Sequence, residues 1–248
     1  MTGPKLLLHQ LRYEQRTFWR NPAGVFFTLG LPVLMLVIFT TLNGDDVFDD
    51  GSSFGDYFVP GMVTFGLINA TYGNLATKVV VRRESGQLKR ARSTPLPLPM
   101  LLTGMLTSAV VVALVIIAVV LGTGRFAYGV PLPDRWGLLL LVLLIGGASF
   151  AALGLALATL IPNTDAADAM VFGTVLPLLF ISGVFDQVPQ GSVLDRIADI
   201  FPVSHLFNVA LATTGASSAD PYPHLAIVAL WGAAGAIIAA KRFRWAPT

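Results

Sequence analysis

The sequence predicts an all-α membrane protein of six transmembrane helices, and three observations predict it. Hydrophobic residues make up 54% of the 248, charged residues only 12%, and the mean hydropathy is +0.72. A soluble domain carries about 25% charged residues, and surface-to-volume scaling leaves a core of this size unable to hide so much apolar surface. The same composition excludes intrinsic disorder. The charges that remain are gathered between long uncharged windows, and the basic ones fall in alternate connections.

A bilayer core about 30 Å thick needs roughly 20 apolar residues in a helix rising about 1.5 Å per residue. Windows free of Asp, Glu, Lys and Arg meet this at Asn21 to Gly44, Tyr57 to Thr77, Ser93 to Gly124, Trp136 to Thr164, Ala169 to Phe185, and Pro221 to Ala240. The first is too long for a cleavable signal, and no small-residue cleavage site follows it. A further uncharged stretch, Ile200 to Ala219, holds Pro202, His205 and Asn208 and ends in a polar run. It reads as a short or re-entrant segment, within an outer region 186–220, supported by protein and not by lipid.

Orientation follows from Lys and Arg in the flanks. All but three of the 16 basic residues lie in the N-terminal tail, the second connection or the C-terminal tail; the exceptions are Arg125, Arg135 and Arg196. Asp45, Asp46, Asp49 and Asp50 occupy the first connection instead. An even span count with both termini cytoplasmic accommodates this pattern, in one transmembrane domain covering 1–248 with no added receptor module.

The tail, 1–20, reads as an amphipathic helix lying in the cytoplasmic headgroup layer. Leu7, Leu8, Leu11, Phe18 and Trp19 share one arc, while His9, Arg12, Arg16 and Arg20 share the other. Glu14, at the edge of the apolar arc, is its imperfection. Asn21-Pro22 separates the tail from the first span.

The second connection reads VVVRRESGQLKRARSTPLPLPM from Val79 to Met100. Arg82 to Arg92 has the composition of about three helical turns with Gly86 as a weak point, and Pro95, Pro97 and Pro99 force an extended entry into the third span. Glu84 stands alone among six cations, where a purely electrostatic membrane anchor gains nothing from it.

Arg82, Arg83, Glu84, Ser85, Gly86, Gln87, Leu88, Lys89 and Arg90, followed by Ser93-Thr94-Pro95-Leu96, resemble the cytoplasmic loop of ABC-2 type transporter permeases, most closely the bacterial drug-export permeases of the daunorubicin-resistance type. Leu178 to Phe185, with its Ser182-Gly183 turn, and Pro202 to Leu206 resemble the same family's outer region. One departure is that Asp186-Gln187 precede Pro189, where a proline commonly follows the aromatic residue directly. The resemblance implies a plasma-membrane permease of a bacterium that pairs with a second copy or a related permease and rests on two cytoplasmic ATPase subunits. It implies a coupling loop at 82–94, with Arg82 to Arg90 as the ATPase contact, and a tail helix carrying Arg12, Arg16, Phe18, Trp19 and Arg20 that transmits ATPase closure. Its partners are then an ATPase, a permease copy and the lipid bilayer, with no nucleic acid. The exported compound would be lipophilic or amphipathic.

No G-x-x-x-x-G-K-S/T occurs, so this chain cannot cradle ATP phosphates itself, and energy must come from a partner or from an ion gradient; the resemblance implies that ATP and Mg are bound by the partner ATPase, with no cofactor in this chain. Cysteine is absent, which removes Cys-ligated zinc and thiol nucleophiles. An ion-gradient-driven carrier is the alternative, but it calls for ionisable residues inside the spans. A rhomboid-like intramembrane serine protease is a further alternative, with Ser149 as nucleophile and His205 or His224 as base. Ser149 is followed by Phe150 where that family has glycine, and it sits in a run of small residues suited to helix packing. Gly232, Ala236 and Ala240 form a small-xxx-small face, and Pro32 and Pro177 are expected kinks.

Overall fold

In an apolar solvent every backbone N–H and C=O must be satisfied within its own segment, which leaves helix as the economical choice for each uncharged window. The computed structural model describes residues 3–44, 46, 51–87, 98–189, 191–217 and 219–242, and these form nine helices apart from short turns. Helix α1 is Gly3–Trp19. Asn21 then caps the next helix, its Oδ1 accepting from Gly24 N at 3.1 Å. That helix, α2, is Pro22–Asn43. Helix α3 opens on a capping box, with Ser53 Oγ accepting from Asp56 N and the Asp56 carboxylate accepting from Ser53 N. It runs through Phe54–Ile68, a π turn Asn69–Gly73, and Asn74–Glu84. The remaining helices are α4, Leu98–Tyr128; α5, Trp136–Ala158; α6, Thr164–Ile181; α7, Val193–Ala198; α8, Pro202–Thr213; and α9, Pro221–Arg242.

Among the described residues, five helices are long and apolar enough to cross a membrane: α2, α4 from Met100, α5, α6 and α9. The window Tyr57 to Thr77 lies inside α3, which has the length but a more mixed composition, because Tyr57, Pro60, Asn69, Tyr72 and Asn74 interrupt the apolar run. Its surroundings account for that tolerance. Nearly every residue from Phe54 to Ala70 is buried among other helices, so α3 is the axis of the bundle. By contrast α2 leaves Phe26, Phe27, Leu34, Ile38 and Leu42 exposed, and α6 and α9 leave Phe180, Leu230 and Ile237 exposed. Such faces suit lipid or another apolar chain.

Several boundaries differ from the sequence reading. Helix α6 begins five residues before the expected Ala169, because Asn163 Oδ1 accepts from Ala166 N at 2.9 Å and Asp165 lies in the first turn, favoured by the helix dipole. Asp165 and Asp168 are therefore helical, not part of a connection. Helix α8 has 12 residues, about 18 Å at the α-helical rise, too short to span, and almost all of it is buried. Pro32 follows the π turn Phe26–Gly30, and α2 continues past it without a break. That turn faces the π turn of α3, where Asn69 Nδ2 donates to Phe27 O at 2.7 Å. A π turn shifts the regular carbonyl pairing, and the Asn69 amide supplies a donor for the displaced group.

The partner of the Gly232 face is α5. A Cβ on Gly232 would sit 2.4 Å from Ser149 Oγ and 2.7 Å from Ser149 Cα, so α9 approaches α5 at backbone distance. Ala236 and Ala240 continue that face along an apolar groove of about 660 Å³ shared with Ala148 and Leu102.

Candidate functional site

At the C-terminal end of α3, three consecutive residues each bind a different element. Arg82 reaches the tail: its Nη1 and Nη2 donate to Glu14 Oε1 and Oε2 at 2.7 and 2.8 Å. Lys78, one turn earlier on the same face, lies 3.4 Å from Glu14 Oε2, and Gln10 Nε2 donates to Oε1 at 2.8 Å. Glu14 has no solvent exposure and Arg82 has 7%. A planar guanidinium matches a carboxylate in two parallel bonds, which fixes direction as well as distance.

Arg83 turns to the end of α5, where Nη1 donates to Ala158 O at 3.0 Å and Nη2 donates to Ile161 O. The last carbonyls of a helix lack intrahelical donors and carry the negative end of its dipole, so a guanidinium there both pairs and neutralises them. Glu84 turns to the start of α6. Its Oε2 accepts from Thr164 N at 2.6 Å and from the Thr164 hydroxyl. Thr164's hydroxyl, then its N–H, hold the Glu84 carboxyl below the usual carboxylate range, and Arg83 adds to the effect.

Two more bonds extend the α3–α6 contact. Thr77 Oγ1 donates to Asp168 Oδ1 at 3.0 Å, and the Tyr72 and Thr174 hydroxyls pair at 2.8 Å. Between α2, α3 and α6 lies a cleft of about 370 Å³, lined by polar Asn74, Thr77 and Asp168 and by apolar Phe27, Val171 and Phe172. The tail helix is also fastened to α4, with Gln15 Nε2 donating to Ser108 O and Oγ at 3.1 and 3.0 Å.

The sequence-predicted residues fall into place unevenly. Arg82, Arg83 and Glu84 complete α3 and do not begin a separate loop helix, because Gly86 adopts a left-handed φ of 69° and closes α3 behind them. Ser85 Oγ donates to Arg82 O at 3.3 Å, and Gln87 is exposed. Leu88, Lys89 and Arg90 lie outside the described residues. In the tail, Arg12, Arg16 and Arg20 are exposed as expected. Phe18 is buried, but Trp19 and Leu8 are 45% and 49% exposed, so they do not share its inward face. That face is Leu7, Gln10, Leu11, Glu14, Gln15 and Phe18, a helical stripe with a polar centre. Glu14, the apparent flaw of the amphipathic pattern, is its main anchor.

Glu14, Lys78, Thr164 and Asp168 were not singled out from sequence as site residues. The available signal was the spacing of Lys78 and Arg82, four apart on one helical face, together with one acid in an otherwise basic tail. Ser149 packs on Gly232, and among the described residues no hydrogen bond joins it to a histidine. His205 and His224 instead bind one another through Nδ1 at 2.7 Å, with His205 Nε2 on Asp199 O at 2.9 Å.

The profile of the ABC-2 type transporter family matches residues 6–214. The chain is 26% identical over 158 residues to proteins named probable multidrug ABC transporter permease YbhR, from Escherichia coli strain K12 and Escherichia coli O157:H7. That alignment covers 62% of this chain and 42% of each relative, so the chain spans less than half the length of the relatives it matches.

Proposed function

The chain belongs to the ABC-2 type transporter family, and from that premise we propose that it is the membrane half of an exporter driven by separate cytoplasmic ATPase subunits. As a membrane-embedded permease of that family it moves a substrate; the energy source, direction and compound are our reading. The observation that carries it is the junction at Arg82, Arg83 and Glu84. A loop that begins at the end of α3 is tied through these three side chains to the tail helix, the end of α5 and the start of α6. A force delivered to the loop therefore reaches three elements within one helical turn. An ATPase that binds the loop differently in its ATP and ADP states biases the bundle between two arrangements.

In this reading α3 is the sixth span, surrounded by protein, and both termini are cytoplasmic. The tail α1 lies at the cytoplasmic interface with Arg12, Arg16 and Arg20 toward headgroups, and α7 with α8 forms the outer re-entrant region. Residues 82–94 are the coupling loop within a single domain, and the setting is a bacterial inner membrane. A second permease copy covers exposed apolar faces, and the half-polar cleft beside α2 and α6 lies on the substrate's route. The multidrug label of the relatives, and the likeness of the 82–96 motif to daunorubicin-resistance permeases, support a lipophilic or amphipathic compound.

Gentle detergent purification of the tagged chain from its own cells tests the proposal. A soluble ATPase with a phosphate-binding loop, recovered at near-equal stoichiometry, is the expected result. In the same complex Glu84→Ala is expected to lower ATP-driven transport while membrane insertion stays intact. A chain that purifies alone under conditions preserving comparable complexes, or transport unchanged by Glu84→Ala, refutes the coupling assignment.

A further inference from the structure

At the other end of the bundle from this junction lies a cavity of about 570 Å³ between the start of α3, the turn after α6, and α7 and α8. Its character differs from the apolar groove along α5 and α9. Tyr57, Ser182, Gln187, Asp195, Ser204 and Asn208 all line it, each with a hydrogen-bonding side chain. Ile181, Phe207 and Leu211 complete an apolar side.

The wall is held in shape before any ligand arrives. Gly183 takes a left-handed φ of 75°, which turns the chain sharply after α6, and the Tyr57 hydroxyl clamps that turn by donating to Gly183 O. Val184 N donates back to Leu179 O at 3.2 Å. On the facing side, Asp195 accepts from Gly191 N at 2.8 Å while its own N–H donates to Ser192 Oγ at 3.1 Å. Within this braced wall Ser182 is 7% exposed; its hydroxyl oxygen is closed off from the open space and has no hydrogen-bond partner among the described residues.

The charge of the lining selects among ligands. Among the described lining residues Asp195 is the one carboxylate, and none is Lys, Arg or His. A carboxylate or phosphate entering here would be desolvated with no cation to meet it. We propose that this cavity binds the hydroxyl- or amine-bearing head group of an amphiphile and rejects an anionic one, with the adjoining hydrocarbon against Ile181, Phe207 and Leu211. Its use as an outer station for an exported compound rests on the export reading above. Binding itself does not.

The chain has no cysteine, so a single introduced thiol reports cleanly. Gln187→Cys places one at the exposed lip of the cavity, and Tyr222→Cys places one at an exposed position outside its lining. The full chain, reconstituted without ATP, is labelled with a membrane-impermeant maleimide in the presence of three dansyl-tagged long-chain probes. The probes differ only in the head: amine, alcohol or carboxylate. The amine and alcohol are expected to slow labelling at 187 and leave 222 unchanged, and the carboxylate is expected to do neither. Asp195→Asn is expected to raise the amine concentration needed by about tenfold, the step from a charge-assisted to a neutral hydrogen bond, with the alcohol unaffected. Asn208→Ala, at a half-buried position of the lining, is expected to weaken both by several-fold. Equal protection by all three heads, protection by the carboxylate, or indifference to both substitutions overturns the proposal. Should Gln187→Cys fail to fold, Ser217→Cys on the same lining carries the same readout. Because no ATPase is present, loss of ATP-driven transport leaves a positive result standing and bears on the export reading alone.

Discussion

Replacing Glu14 by glutamine removes one charge and almost no volume from the junction between α1 and α3. Arg82, nearly without exposure, then faces an amide in place of a carboxylate, and Lys78 loses the anion 3.4 Å away. Deleting one member of a buried ion pair costs about 3–5 kcal/mol, because the other charge is left uncompensated. Glutamine retains one oxygen for the guanidinium, and the Lys78 side chain is 18% exposed and has water within reach. The loss therefore sits at the lower end, about 3 kcal/mol. Against it stand the burial of Phe18, about 2 kcal/mol, and the Gln15 bonds to Ser108, about 1 kcal/mol each. These are comparable sums, so α1 stays attached but its docked state weakens by about a hundredfold. Hydrogen exchange over residues 6–18 in detergent or nanodiscs measures this. Exchange in Glu14→Gln is expected to accelerate by that order, while Arg12→Gln, at an exposed position, leaves it unchanged. The charge exchange Glu14→Arg with Arg82→Glu is expected to recover part of the protection. Equal exchange in Glu14→Gln and Arg12→Gln would falsify the claim that the buried pair fastens the tail.

Two further predictions test packing and orientation. Gly232→Leu is expected to separate α9 from α5 and lower the thermal stability of the purified chain sharply, since even a Cβ there meets Ser149 at 2.4 Å; Gly173→Ala, where a Cβ meets nothing within 4 Å, is expected to leave it unchanged, and similar melting of the two variants refutes the close approach. A cysteine in place of Ser52 is expected to react with an impermeant thiol reagent applied to intact cells and one in place of Ser85 is not; the reverse labelling overturns the orientation and with it the access of an ATPase to the loop after α3.

What the sequence makes legible follows the length scale of the signal. A charge-free window of twenty residues is a strong one-dimensional signal, and α2, α4, α5, α6 and α9 emerge from it directly. The α3 window was legible as uncharged, but not its place at the centre of the bundle, because Asn69 and Tyr72 are tolerable only where Phe27 O and Thr174 wait for them. The junction was half legible. Arg82, Arg83 and Glu84 stood out as a motif, yet their partners Glu14, Ala158 and Thr164 are about 70 to 80 residues away, and periodicity carries nothing over that range. For the same reason the hydrophobic arc is all that the sequence shows of the tail's inward face. A buried carboxylate is a flaw on a helical wheel until the cations of another helix are seen to meet it.

The two kinds of joint in this bundle are suited to different tasks. Between α5 and α9 the contact is backbone against backbone, with Gly232 on Ser149 and Gly235 on Leu153 N, where a Cβ would come within 2.9 Å. Contacts of that kind are lost over fractions of an ångström, so the pair behaves as one body. Helix α6 is held to α3 differently: Ala167 and Val171 pack in an apolar cluster with Leu75, Ala76 and Val79, and Tyr72 on Thr174, Thr77 on Asp168 and Glu84 on Thr164 join the edge, beside a cleft. The bonds of Glu84 and Thr77, at the start of α6, can exchange with water at little net cost, since each contributes only about 1 kcal/mol. Under the proposed coupling, a push at the end of α3 would find α5 and α9 moving together and α6 joined by the more exchangeable of the two contacts. The boundary that moves would then be the one bordering the cleft, which places the polar ladder of α3 and α6 between the energy source and the substrate's route.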